Sequence, residues 1–373
     1  MYYKDDWAAA KAHMEAFWAG EDIGRPMMAV YAPRNAGCTV FPELQNGPWL
    51  GGLESIKDGD QAAVEKWWRD PEENYKRAKF WFENTYFGGE AIPATYVNWG
   101  ASAACAFYGA APHFNRTSVW YEQVIEDWES WEWSFDEKTN QWWNNIREII
   151  QYLNDRAEDE FFVGMPEFGN AADNLSLMRG MDNLAVDCLE DPEAVSNAID
   201  FMESHWCNLH EKLYQLTLPV NGGGVLPWMS LWAPGRIDQI ACDFSTALSP
   251  KLFKELFVPD IQKLGSWTEY GTYHLDGRTA MQNHLDTLLQ IPEIKTIEFT
   301  PGIGSDPTLT EDYIPRYRKI LDSGKRLYLL AEPHEVEPLC RLLGSKNLFM
   351  STWAESREEA DALIENTYKW CKK

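Results

Sequence analysis

A single-domain α/β fold, a (β/α)8 TIM barrel running through residues 1–373 with Trp-rich N-terminal insertions, is what the sequence predicts. Short apolar or β-branched runs alternate with helical patterns through the second half of the chain, and eight such runs can be counted over the whole of it. No GxGxxG turn comes after any of them, which disfavours a doubly wound open sheet built to hold a dinucleotide.

The runs are PMMAVYA (26–32), AIPATYVNW (91–99), DEFFVGMPEF (159–168), VLPWMSLW (225–232), TYHL (272–275), KTIEF (295–299), RLYLLA (326–331) and NLFMST (347–352). Helical patterns near 250–264, 279–290, 309–322, 335–343 and 356–370 accompany the later ones, opened at Ser249-Pro250 and at the capping pattern Ser356-x-x-Glu359. A short buried strand and then a helix, repeated, implies parallel βα units, because a parallel crossover needs a connection of that length.

Insertions interrupt this pattern near 35–90 and 105–140. The first carries Pro42, Pro48 and the turn-rich NGPWLGG (46–52) before a Trp-rich helix around 61–84. The second, at 111–135, includes YEQVIEDWESWEWSF, whose alternating acidic and aromatic residues read as an edge hairpin. Of the 19 tryptophans, 13 fall in the first 143 positions. Such rings build cores, line clefts or seal interfaces, including one between copies of the chain, and the insertions are expected to form a lid or partner-facing surface.

Composition excludes several function classes. At 45% hydrophobic and 24% charged residues the chain reads as globular, and no apolar run approaches the roughly 18 residues of a membrane span. The opening MYYKDDWAAAKAHMEAFWAG is charged from its first turn, unlike a secretory signal. A net charge of −25 repels phosphate backbones and anionic lipid, so neither nucleic acid nor a membrane is expected as partner. Seven scattered cysteines without a CxxC pair write neither a disulfide framework nor a thiolate zinc knuckle, and the expected compartment is a reducing cytoplasm.

Catalytic groups in a parallel barrel gather at the C-terminal ends of its strands. At or just past the ends of the eight runs stand Tyr31 and Arg34, Asn98 and Trp99, Glu167 and Asn170, Trp232 and Asp243, His274 and Asp276, Glu298, Glu332 and His334, then Trp353 and Glu355. In His274-Leu275-Asp276 the first and third side chains point the same way from an extended strand. With Glu298 and Glu332 at neighbouring ends, a mixed His and carboxylate set suits zinc or another divalent metal. Other uses remain open. Asp276 can cap the next helix while His274 binds a backbone carbonyl, and Glu167 with Glu332 can form the acid and base pair of a glycosidase-like site. No GxSxG motif is present, and no cysteine sits in an activating context.

Four stretches carry a resemblance: RPMMAVYAPR (25–34), CDFSTALSPKLFKELFVPDIQKL (242–264), YHLDGRTAMQNHLDTLLQIPEIKTIEFTPG (273–302) and GKRLYLLAEPHEVEPLCRLLGSKNLFMST (324–352). In order and spacing they resemble the uroporphyrinogen decarboxylase superfamily, which also contains cobalamin-dependent methyltransferases and whose fold is the (β/α)8 barrel. True decarboxylases of that superfamily clamp porphyrin carboxylates with an RQAGRY-like segment. Here the comparable stretch is YAPRNAG (31–37), which leaves Arg34 alone. Its thiol-methylating members bind zinc through His-x-Cys and a later Cys; here those positions resemble His274-x-Asp276 and Glu332, an oxygen-rich set.

The resemblance therefore implies an enzyme that moves a methyl group from a small methoxylated or polyol-like substrate to a corrinoid carried by a partner protein, with metal assistance. In that reading His274, Asp276 and Glu332 hold the metal, and Glu167, Glu298 and His274 are the catalytic groups. Tyr31, Arg34, Asn98, Trp99, Trp232, Asp243 and Trp353 line the substrate. The competing expectations are a carbohydrate-active lyase or hydrolase with paired carboxylates, and a ligand-binding barrel without catalysis.

Overall fold

The computed structural model describes residues 1–38, 53–302 and 306–372. The expected Pro42, Pro48 and NGPWLGG turn region lies outside the described residues.

Helix α1 (Trp7–Ala19) leads into β1 (Met27–Pro33). Helices α2 (Gln61–Arg69) and α3 (Pro71–Asn84) come next, their first turns capped by Asp60 and Asp70, which accept from Ala63 and Glu73 N–H. After them run β2 (Thr85–Gly89), β3 (Ala94–Thr95), β4 (Pro112–Phe114), β5 (Val119–Tyr121), α4 (Gln141–Ala157) and β6 (Phe162–Val163). Helices α5 (Ala171–Arg179), α6 (Met181–Glu190) and the long α7 (Pro192–Asn221) precede β7 (Gly224–Leu226), β8 (Leu231–Ala233) and β9 (Gln239–Ala241). A short α8 (Pro250–Leu252) runs through a π turn into α9 (Val258–Trp267). The remainder alternates: β10 (Gly271–Asp276), α10 (Gly277–Leu288), β11 (Ile294–Thr300), α11 (Ile314–Asp322), β12 (Arg326–Leu330), α12 (Pro333–Leu343), β13 (Leu348–Trp353) and α13 (Arg357–Trp370).

The main sheet has the order β2-β1-β13-β12-β11-β10-β9. All its neighbours pair in parallel except β2, which lies antiparallel on β1. A second parallel pair joins β3 with β6 and is extended by Gly164 N–H, which donates to Thr95 O. The result is a mixed α/β fold on a parallel sheet, consistent with a TIM-like barrel. Among the described residues no helix is long and apolar enough to cross a membrane.

Two expectations about the strands need correction. The run 225–232 is not one strand but the antiparallel hairpin β7–β8, whose chain reverses at Pro227–Ser230 with Ser230 at φ 54°. Pro227 has no N–H to give a ladder, so an interior proline already argues against a continuous central strand. The position beside β10 is taken instead by β9, three residues long and unanticipated, as was β2. The runs at 91–99 and 159–168 survive as two-residue strands. Gly164 lies where β6 meets the hairpin; a Cβ there would come within 2.2 Å of Pro227 Cγ.

The first Trp-rich insertion packs inward, with Trp67, Trp68 and Trp81 buried and Phe82 stacked on Phe161 at 5.0 Å, whereas in the second Trp128, Trp131 and Trp133 are half-buried and Trp120 is 59% exposed. The hairpin expected at 111–135 ends early: of the acidic and aromatic segment only Tyr121 lies in a strand, β5.

Candidate active site

In the β10–β11 register His274 stands opposite Glu298, and the same row continues through Tyr328 to Phe349. Neighbours in register on parallel strands project from the same face, so the two side chains meet. His274 Nδ1 donates to Glu298 Oε2. The other oxygen, Oε1, accepts from Thr300 Oγ1 at 2.7 Å, two residues on along β11 and therefore on the same face. Glu298 is fully buried, so its role is to fix the imidazole, leaving Nε2 as the ring nitrogen it does not hold. The His274 ring stands edge-on to Trp228 at 5.6 Å. Burial alone would lower the proton affinity of this imidazole, but Glu298, then Asp243 and Glu167, raise its pKa to about 10. His274 is thus an imidazolium at neutral pH.

Three more carboxyls act on it. Glu167, in the loop after β6, accepts from Gln239 Nε2 at 3.1 Å. Burial pushes its pKa up, with Asp243 adding and His274 opposing. Asp243, just past β9, is raised by burial and by Glu298, and its Oδ1 is buried with no hydrogen-bond partner among the described residues. Asp276 occupies the N-cap position of α10 without a side-chain capping bond and is raised by burial, then by Asp243. The loop that carries Asp243 is pinned from α5: Asn170 Oδ1 accepts from Ala241 N–H at 2.8 Å and Asp173 Oδ1 from Phe244 N–H at 2.9 Å.

Beside Glu167 lies a cavity lined by Tyr96, Asn170, Trp206, His210, Trp228, Asp238 and Gln239, among others. His210 stacks on Trp206 at 3.4 Å between centroids, donates from Nδ1 to Trp206 O at 2.9 Å, and sets Nε2 2.8 Å from Asp238 Oδ2.

The other expected site residues divide sharply. Glu332 is exposed at the N-cap of α12, its N–H donating to Glu335 Oε2 at 2.9 Å. Trp232 and Trp99 are 1% exposed and act as packing, the first donating to Asn221 O and the second lying edge-on to Phe114. Tyr31 is fully buried and donates to Ser230 Oγ at 2.7 Å. Arg34 donates to Phe82 O at 3.4 Å and lies over the Tyr3 ring, against α3. Asn98 turns back on its own loop to accept from Gly100 N–H. Trp353, half-buried at the end of β13, keeps its indole N–H buried and unpartnered.

Among the described residues no group of three or more His, Cys, Asp or Glu side chains is gathered to hold a metal ion. With Glu332 exposed on a helix cap and no such group gathered, the described residues do not fit the zinc set His274, Asp276 and Glu332.

Thr300, Gln239, Asp238, His210 and Trp228 were not among the expected site residues. Thr300 has a readable signal, its i+2 spacing from Glu298. Gln239 and Asp238 flank a strand too short for periodicity to reveal, and His210 is hidden inside a 30-residue helix.

No family model matches the chain, and no curated protein matches it. Among solved structures, a methyltransferase from Methanosarcina mazei is similar in fold, with a TM-score of 0.59 at 12% identity over 96% of this chain and 98% of that one.

Proposed function

We propose that the chain is a (β/α)8 enzyme of the uroporphyrinogen decarboxylase superfamily that moves a methyl group from a small methoxylated substrate to a corrinoid carried by a separate protein. The observation that carries this reading is the imidazolium of His274, held by Glu298 and Thr300 at adjoining strand ends and surrounded by Glu167, Asp243 and Asp276. The full-length likeness to a methyltransferase supports it.

Cleaving a methyl ether breaks the bond between carbon and oxygen and leaves the bonding pair on oxygen. His274 Nε2–H is the proton donor that neutralises this charge, while Glu298 stabilises the cation before transfer and keeps the ring oriented. When bound, a partner's reduced corrinoid would supply the electron pair of the new bond to the methyl carbon. Glu167, held by Gln239, orients the substrate and takes part in returning the proton to His274.

A second reading, cleavage of a carbohydrate by paired carboxyls, is favoured by the raised proton affinity of Glu167. One assay separates the two. Purified protein is incubated with O-methylated substrates, with and without a reduced corrinoid protein. Demethylation only in its presence, reduced about 100-fold or more in His274→Ala, is the expected result. Cleavage of a glycoside by the chain alone, abolished in Glu167→Gln, would instead establish the second reading.

A further inference from the structure

The cavity beside Glu167 has unsatisfied groups of both kinds. Asn170, 1% exposed, spends its Oδ1 on Ala241 N–H and keeps Nδ2, a donor, buried and without a partner among the described residues. Gln239 spends its Nε2 on Glu167 and keeps Oε1, an acceptor, buried and likewise without a partner among the described residues. Asp238 Oδ2, by contrast, is paired with His210 Nε2 at 2.8 Å. The Asn170 and Gln239 side chains line the same cavity. Buried polar groups left without partners are costly, so a ligand group that satisfies them gains what they lack.

The required group must accept from Asn170 and donate to Gln239. An ammonium has no lone pair to accept with, and a carboxylate or phosphate has no proton to donate; a hydroxyl does both. Among the described residues the lining has neither Lys nor Arg, the usual partners of an anion. Its room, about 20 Å³, holds about one water-sized group rather than a ring. Trp228 lines the cavity and also stands edge-on to His274, so it connects this small chamber to the reacting centre and offers an apolar face to the rest of the ligand.

We infer that this cavity is a hydroxyl-recognising subsite and that the substrate is an uncharged polyhydroxylated molecule, of the sugar or cyclitol class, that presents its methyl ether to His274. The subsite stands on the cavity alone; the placement of the methyl ether rests on the methyl-transfer reading.

The test is calorimetric titration of the full chain with myo-inositol, mannitol and methyl α-glucopyranoside, with choline and acetate as charged competitors. At least one polyol is expected to bind, with affinity lowered roughly tenfold or more in Gln239→Leu and in Trp228→Ala, and with no displacement by choline or acetate. Two variants are used because each can be checked for folding independently, and Asn170 is left intact because it also pins Ala241. Binding by none of the polyols, equal binding in Gln239→Leu, or displacement by choline would overturn the subsite. Polyol binding without methyl transfer from an O-methyl inositol to a reduced corrinoid would leave the subsite standing and remove the methyl-transfer reading. Transfer from an aryl methyl ether by protein that binds no polyol would do the reverse.

Discussion

Glu298 accepts two hydrogen bonds in the core, from His274 and from Thr300, and so decides both where the imidazole points and whether it is charged. In Glu298→Gln the largest charge raising His274 is gone, so the alkaline limb of a pH–rate profile, set near pH 10 in the wild type, is expected to move down; a limb that stays in place would show that His274 is not the acid. The same pair predicts a stability profile. Because the folded-state value of His274 is raised, its contribution is complete below the ordinary histidine value of about 6.5 and is lost as pH rises toward about 10. Urea denaturation from pH 6 to pH 10 should therefore show a decline that is flatter in Glu298→Gln. Glu332→Gln, by contrast, should change stability by less than about 0.5 kcal/mol and turnover little, since that side chain is exposed. Strand-end placement leads to His274, Glu298, Asp243 and Glu167, which the structure brings together, but Glu332 stands apart because the last residue before a helix can face solvent as its cap, and only the turn geometry distinguishes the two.

The hairpin β7–β8 is held by Ser230, whose Oγ accepts both Tyr31 O–H at 2.7 Å and Ile92 N–H at 2.9 Å. Ser230→Ala leaves two buried donors without an acceptor and should cost about 1–3 kcal/mol in urea denaturation. An unchanged midpoint would show that water replaces the hydroxyl. Gly164→Ala should cost a similar amount, about 1–3 kcal/mol, by forcing β6 from Pro227. These contacts explain why the run 225–232 misleads. Its apolar residues are needed on both arms of a hairpin, and an apolar run has the same composition whether the chain continues or reverses. The later strands, β10 to β13, are legible because each leads into a well-formed helix; β9 is not, since three residues bear no period.

Over the whole molecule the chain shares its fold with a methyltransferase along nearly its full length while sharing 12% of its residues, so the sheet and its helices persist where side chains do not. Most of the tryptophans of the first insertion serve that fold as a buried layer, which composition alone could not separate from a lid or an interface. Their burial predicts that Trp81→Ala destabilises by about 3–5 kcal/mol without altering ligand affinity. The most direct measurement is a single-turnover reaction of the purified protein with an O-methyl inositol and a reduced corrinoid protein, monitored by the corrinoid's absorbance and by the demethylated product. Equal amounts of methylated corrinoid and free inositol, formed only when all three components are present and lost in His274→Ala, is the expected result. Consumption of the substrate without the corrinoid, or the same yield in His274→Ala, would contradict it.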